Sequence, residues 1–235
     1  MNSDKITGRT VGILVILHLL IGLMVPFIIL DFVRGSRGLL LVTPDHAYQL
    51  RMAVCLLFIG SAMATAISVT AFPVIRRYSS AWALWLVALG AAAFTLQVVD
   101  NGRLLTMLSL SQHFVDSGSA SPDLYQELAF AAGAARRWSH YTYLFTAVSW
   151  IFLLFATLFR LRLVPRALAA AGMLCALMQI GAVSVRAMLG YAPAMNFAVP
   201  LGPVYLALAL WLMVKGFNAQ RIPAPPEASA ALVAS

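Results

Sequence analysis

The stretch "AWALWLVALGAAAFTLQVVDNGRLL", Ala81–Leu105, runs for nineteen residues without a charge and then gathers Asp100, Asn101 and Arg103 within a single helical turn. A helix rises 1.5 Å per residue, so an uncharged run of about 20 residues matches a hydrocarbon core of ~30 Å. The run is continuous rather than alternating and is rich in Ala and Leu, which selects a helix over a barrel strand. How often such runs recur decides the fold.

They recur six times: Val11 to Leu30, Met52 to Val74, Ala81 to Val99, Tyr141 to Phe159, Ala167 to Met188 and Phe197 to Val214. Hydrophobic residues are 62% of the chain and charged residues 10%, with a mean hydropathy of +0.88. An ordinary soluble domain carries about 25% charged residues. The expected fold is therefore all-α, a polytopic membrane bundle of six transmembrane helices in a single domain over residues 1–218. Residues 219–235, "QRIPAPPEASAALVAS" at their core, are Pro- and Ala-rich and are expected to be a disordered cytoplasmic tail. The first span follows Lys5 and Arg9 as a signal peptide would, but its apolar stretch is too long for a cleaved signal and reads as a retained helix. Cys55 and Cys175 lie inside apolar runs and suggest neither a disulfide framework nor a metal knuckle.

Six spans put both termini on one side. That side collects nine basic residues and two acids, the other seven basic and six acids. The compact basic turns "IRRYSS" and "FRLRLVPR" strengthen this bias, so the termini are expected in the cytoplasm. The formal charge of +8 then sits almost wholly on a membrane rim facing lipid headgroups, and nucleic acid is not an implied partner. Two outward connections are long. In the second, Ser121 is placed as an N-cap, Pro122 at the first helical position and Asp123 in the first turn, with Leu124, Leu128, Ala131 and Ala135 on one face. This predicts an amphipathic helix, either on the outer surface or leading directly into the fourth span. The hairpins around "IRRYSSAWALWL" and "FRLRLVPRALAA" are weakly alike, as a parallel repeat or simple low complexity would make them.

The phrase "FRLRLVPRALAAAGMLCALMQIGAV", with the earlier "AVCLLFIGSAMATAISVTAFPVIRR", resembles bacterial multi-pass membrane proteins grouped as the domain of unknown function 4386 family. The likeness covers most of residues 8–217, and its most specific element is "LVPRALAAAG", Leu163–Gly172. It implies a bacterial inner-membrane protein. It brings no reaction and no catalytic residue.

Counting along the helices places Asp31, Arg51, Asp100, Arg103, His140 and Arg186 at one height, each about 30 Å from the cytoplasmic ends. Gln97, Asp100 and Arg103 share a face of the third span, where Asp100 and Arg103 are spaced to pair. Exposed ion pairs at the interface are the plain reading. The sharper one is an outward-facing pocket in which Arg103 and Arg186 orient an anionic headgroup or carboxylate, since the planar guanidinium binds either bidentately. His18, Gln97 and Gln179 lie within the membrane, where polar groups find interhelical partners. The four histidines, His18, His46, His113 and His140, occur singly, without the paired spacing of a helical metal site. A zinc hydrolase gathering His46, His113, His140 and Asp100 on the outside stays open as a tertiary arrangement. No GxSxG, Walker or dinucleotide motif is present, and no cofactor is implied. Gly60, Ala64 and Ser68 form a small-residue stripe suited to close helix packing.

The expected function is a non-enzymatic membrane module that binds a small amphipathic or lipid-like ligand in the outward pocket, with Gln97, Asp100, Arg103, His140, Gln179 and Arg186 as candidate ligand residues. The alternatives are a metal-assisted intramembrane hydrolase using His140, Asp100 and Arg186, and a structural partner of another membrane protein.

Overall fold

The computed structural model describes residues 3–29, 45–118 and 121–218. Asp31, and most of the first long connection, lie outside these residues. The elements are α1 (Ser3–Met24), continued by a π-helical turn over Val25–Ile29, then α2 (Ala47–Ile75), α3 (Ser80–Asp116), α4 (Pro122–Arg160), α5 (Arg166–Leu189), a 3-10 segment over Ala192–Ala198, and α6 (Leu201–Lys215). Among the described residues, six helices are long and apolar enough to cross a membrane. The fold is an all-α polytopic bundle.

Local chemistry sets the ends. Ser79 is extended and its side chain accepts from the Trp82 amide, which starts α3. Pro165 precedes α5, and Gly190, left-handed at φ +67°, stops it. The basic turns "RRYSS" and "LRLVP" fall between α2 and α3 and between α4 and α5 at the end of the bundle that also holds both termini. There Arg77 donates to both carboxylate oxygens of Asp4, at 3.0 and 2.5 Å, tying the start of α1 to the α2–α3 turn. This hydrogen bond raises the Arg77 pKa above its ordinary value. The Asn218 amide donates to the Leu163 carbonyl at 2.8 Å, tying the end of α6 to the α4–α5 turn.

Each helix packs on its neighbours in sequence, and α6 closes on α1, so the six form a ring around a common core. Gly8 and Gly12 make that closure possible. A Cβ at Gly8 would lie 2.4 Å from the Phe217 nitrogen, and one at Gly12 would lie 2.8 Å from the Met213 nitrogen. Two glycines four apart thus let two backbones touch, as in membrane helix pairs generally. Within the stripe expected on α2, Gly60 receives Ile21 of α1.

About halfway through the bilayer, roughly 15 Å from the terminal ends of α3, α4 and α6, polar groups from several helices meet. His18 Nδ1 lies 3.0 Å from the Tyr205 hydroxyl, and its ring sits edge-on to Trp150 at 5.7 Å. The Trp150 indole N–H donates to Ser68 Oγ at 2.9 Å, and Ser68 donates to the Ala64 carbonyl at 2.8 Å. Gly90 supplies the room, since a Cβ there would come within 3.1 Å of Ser68 Oγ and 3.2 Å of the indole nitrogen. His18 thus hydrogen-bonds helix to helix, the role expected of a polar side chain with no water to turn to.

The helices α3 and α4 do not stop where the bilayer does. Their 37 and 39 residues make rods of about 55 and 58 Å, nearly twice a ~30 Å core. Of the two arrangements open for the segment after Ser121, the helix leads directly into the fourth span. Nothing between Pro122 and Arg160 breaks it. Ser121 takes the N-cap position in a left-handed conformation, without a side-chain cap bond. The face holding Leu124 and Leu128 stays exposed, while Tyr125 packs on Phe114 with ring centroids 5.1 Å apart.

Candidate functional site at the far end of helices 3 and 4

The pairing of α3 with α4 has a constant register. Tyr125 meets His113 and Phe114, Gly133 faces Met107, and Ser139 and His140 meet Asp100. Each pair of residue numbers adds to about 240, as antiparallel helices require. Asp100 therefore lies across from α4, at the far boundary of the bilayer.

Asp100 is fully buried. One carboxylate oxygen accepts from Ser139 Oγ at 3.1 Å, and the other lies 3.0 Å from His140 Nδ1. The Ser139 hydroxyl has one proton and also stands 2.9 Å from the Arg136 carbonyl, so it divides its donation between two acceptors. A carboxylate only accepts, which makes His140 Nδ1 the donor to Asp100 and leaves Nε2 outside this contact. The His140 side chain is 39% exposed and that of Asp100 only 1%, so the acid is the hidden support and the imidazole the accessible group. Arg136 lies near enough to be acted on by the Asp100 charge, yet its Nε is buried and has no hydrogen-bond partner among the described residues. Tyr143, on the same face of α4, also feels that charge.

The other candidates go elsewhere. Arg103 is exposed and makes no ion pair with Asp100, whose two oxygens are turned into α4 and engaged there by Ser139 and His140. Gln97 is buried and donates to Asn101 Oδ1 at 2.8 Å, while Asn101 donates to the Val54 carbonyl of α2 at 3.3 Å. Arg186 donates to the Gly190 carbonyl at 2.9 Å, closing the last turn of its own helix. Gln179 Oε1 is buried without a partner among the described residues. The structure thus brings Asp100 and His140 together, with Gln97 one turn away, and does not bring Arg186 to them. Nor do the four expected zinc ligands gather: His46 bonds Gln49 at 2.6 Å and His113 bonds Tyr125 at 3.1 Å, and among the described residues no three His, Cys, Asp or Glu side chains converge. His113 is about 20 Å along α3 from Asp100.

Ser139, Arg136 and Asn101 were not candidates on sequence. The register rule would have found the first two, since an acid at position 100 must look at residues near 140.

On the other flank of α3 lies an open groove of about 590 Å³ against α2. Val54, Phe58 and Ile59 form one wall and Val98, Gly102 and Leu105 the other, with Cys55 and the Asn101 amide completing the lining. Gly102 leaves the groove clear, since a Cβ there would meet nothing within 4 Å. Val98 is about 27 Å along α3 from Ser80, so the groove spans the acyl-to-headgroup zone of the leaflet away from the termini.

One family model, DUF4386, a domain of unknown function, matches residues 10–216. The chain belongs to the DUF4386 family. No curated protein and no solved structure matches it. The DUF4386 match begins inside α1, just before Gly12, and ends at Gly216, where α6 stops. It therefore contains all the residues of the Asp100–His140 pair and of the groove. As part of DUF4386 these residues inherit membership without an assigned activity.

Proposed function

We propose that this DUF4386 protein is a bacterial inner-membrane module with cytoplasmic termini that binds a lipid-like ligand at the outer leaflet. The orientation rests on the basic turns at the terminal end, where Arg76, Arg77, Arg160, Arg162 and Arg166 cluster in short connections. One observation carries the binding reading: the groove between α2 and α3, of a volume typical for small-molecule sites and with apolar walls. In a bilayer such a groove is filled by acyl chains. On this reading the ligand lies on the side of the bundle, where Arg186 has no part.

Native mass spectrometry after mild extraction tests it. Gly102→Leu fills the groove from a position with free space and favours helix, so it is expected to lower retained lipid at unchanged thermal stability. Arg186→Ala is expected to leave retention as it is. Equal retention in the wild type and Gly102→Leu would overturn the reading.

The Asp100–His140 pair favours a hydrolase as a second reading. An imidazole held through Nδ1 by a buried carboxylate presents Nε2 as a general base. That reading expects the retained lipid to change mass during incubation in the wild type and not in His140→Gln.

A further inference from the structure

We infer that the root of the α3–α4 hairpin is a second site, separate from the groove, that binds an anionic phosphoryl group. The register that sets Asp100 beside His140 also sets Arg103 level with Arg136 and Arg137. Counting from Ser80 along α3, and back from Arg160 along α4, all three arginines stand about 35 Å from the terminal end. That is one step beyond a ~30 Å core, in the headgroup layer. Three guanidiniums and the His140 imidazole therefore share little more than one helical turn of height.

Among the described residues, Asp100 is the acid whose charge reaches Arg136, and it does not satisfy the three guanidiniums. Asp100 is buried, and its two oxygens are engaged by Ser139 and His140. Among the described residues Arg136 Nε is buried without a partner, and neither Arg103 nor Arg137 forms a salt bridge. The remaining hairpin acids, Asp116, Asp123 and Glu127, sit toward the tip. Glu127 is nine residues from Arg136, about 13 Å along the helix, which exceeds a screening length of ~8 Å at physiological salt. The hairpin is thus positive where it leaves the membrane and negative where it is farthest from it. Guanidiniums bind phosphate oxygens bidentately, and a cation beside an anionic surface gains about 1 kcal/mol.

The phosphoryl group can belong to a lipid headgroup or to soluble phosphate, and two arms separate them. In the first, the full chain in nanodiscs of equal phosphatidylglycerol and phosphatidylcholine is released for native mass spectrometry. The wild type is expected to retain phosphatidylglycerol preferentially, and the double variant Arg136→Gln with Arg137→Gln to lose about tenfold of that preference, at one to two kcal/mol for two charges. The matching pair on the terminal rim, Arg76→Gln with Arg162→Gln, controls for general attraction and is expected to lose less. In the second arm, millimolar inorganic phosphate is added in pure phosphatidylcholine. A shift of the His140 NMR signals in the wild type, absent from the double variant, identifies soluble phosphate as the ligand. The inference fails if neither arm distinguishes the hairpin variant from the wild type, or if the terminal-rim pair loses as much as the hairpin pair. Gly102→Leu is expected to leave both arms unchanged, so loss of the groove reading and loss of this one are read apart.

Discussion

Asp100 illustrates what a buried carboxylate does for its neighbours. Its removal leaves His140 Nδ1 without this acceptor, the Ser139 hydroxyl with the Arg136 carbonyl alone, and Arg136 without the Asp100 charge. Unsatisfied buried groups cost roughly 1–3 kcal/mol each. Asp100→Ala is accordingly expected to destabilise the protein by about that amount, and Asp100→Asn, which keeps one acceptor, by less. Thermal unfolding in detergent measures both, and an Asp100→Ala variant as stable as the wild type would show that the cluster contributes nothing. Gly90 makes a different case at the same scale. Any side chain there enters the space between Ser68 and Trp150. Gly90→Val is expected to cost about 1–3 kcal/mol by overpacking and to shift the Trp150 fluorescence as the indole loses Ser68. Preserved emission and stability would mean that the contact yields freely.

Between elements, closeness depends on small residues at particular positions. A Cβ at Gly172 of α5 would lie 2.2–2.4 Å from the Phe155 ring of α4. Gly172→Ala should therefore destabilise the α4–α5 contact, and Phe155→Leu in the same chain should recover part of the loss. The coupling is expected between about 0.5 and 3 kcal/mol in a double-mutant cycle. Strict additivity would show that the two residues do not touch. The α3–α4 hairpin adds a geometric expectation. Phe130, 72% exposed and thirty residues from Arg160, stands about 45 Å from the terminal end and so outside the bilayer. In cells carrying Phe130→Cys with Cys55 and Cys175 replaced by Ser, a membrane-impermeant maleimide added outside should label the chain. Labelling only after the membrane is opened would reverse the proposed orientation.

For the whole molecule, six apolar spans were legible because a bilayer imposes a length that hydropathy measures directly, and the family likeness rested on those spans and on "LVPRALAAAG". The site was only partly legible. Counting residues put Asp100 and His140 at one height, since rise per residue needs no knowledge of neighbours. Which way each side chain turned could not be read. Lipid tails are as apolar as Leu, so a membrane helix can be apolar all round and carries little of the amphipathic pattern that tells a soluble helix which face is inward. Packing settled it: α3 turns Asp100 into α4 and leaves Arg103 outside, Arg186 bends back to cap α5, and Gly8 and Gly12 bring α6 against α1. Number of spans, their depth and the shared side of the termini belong to the sequence, because each follows from length and hydropathy alone. The ring order, the groove and the partners of Asp100 belong to the tertiary structure, because each depends on which helices touch.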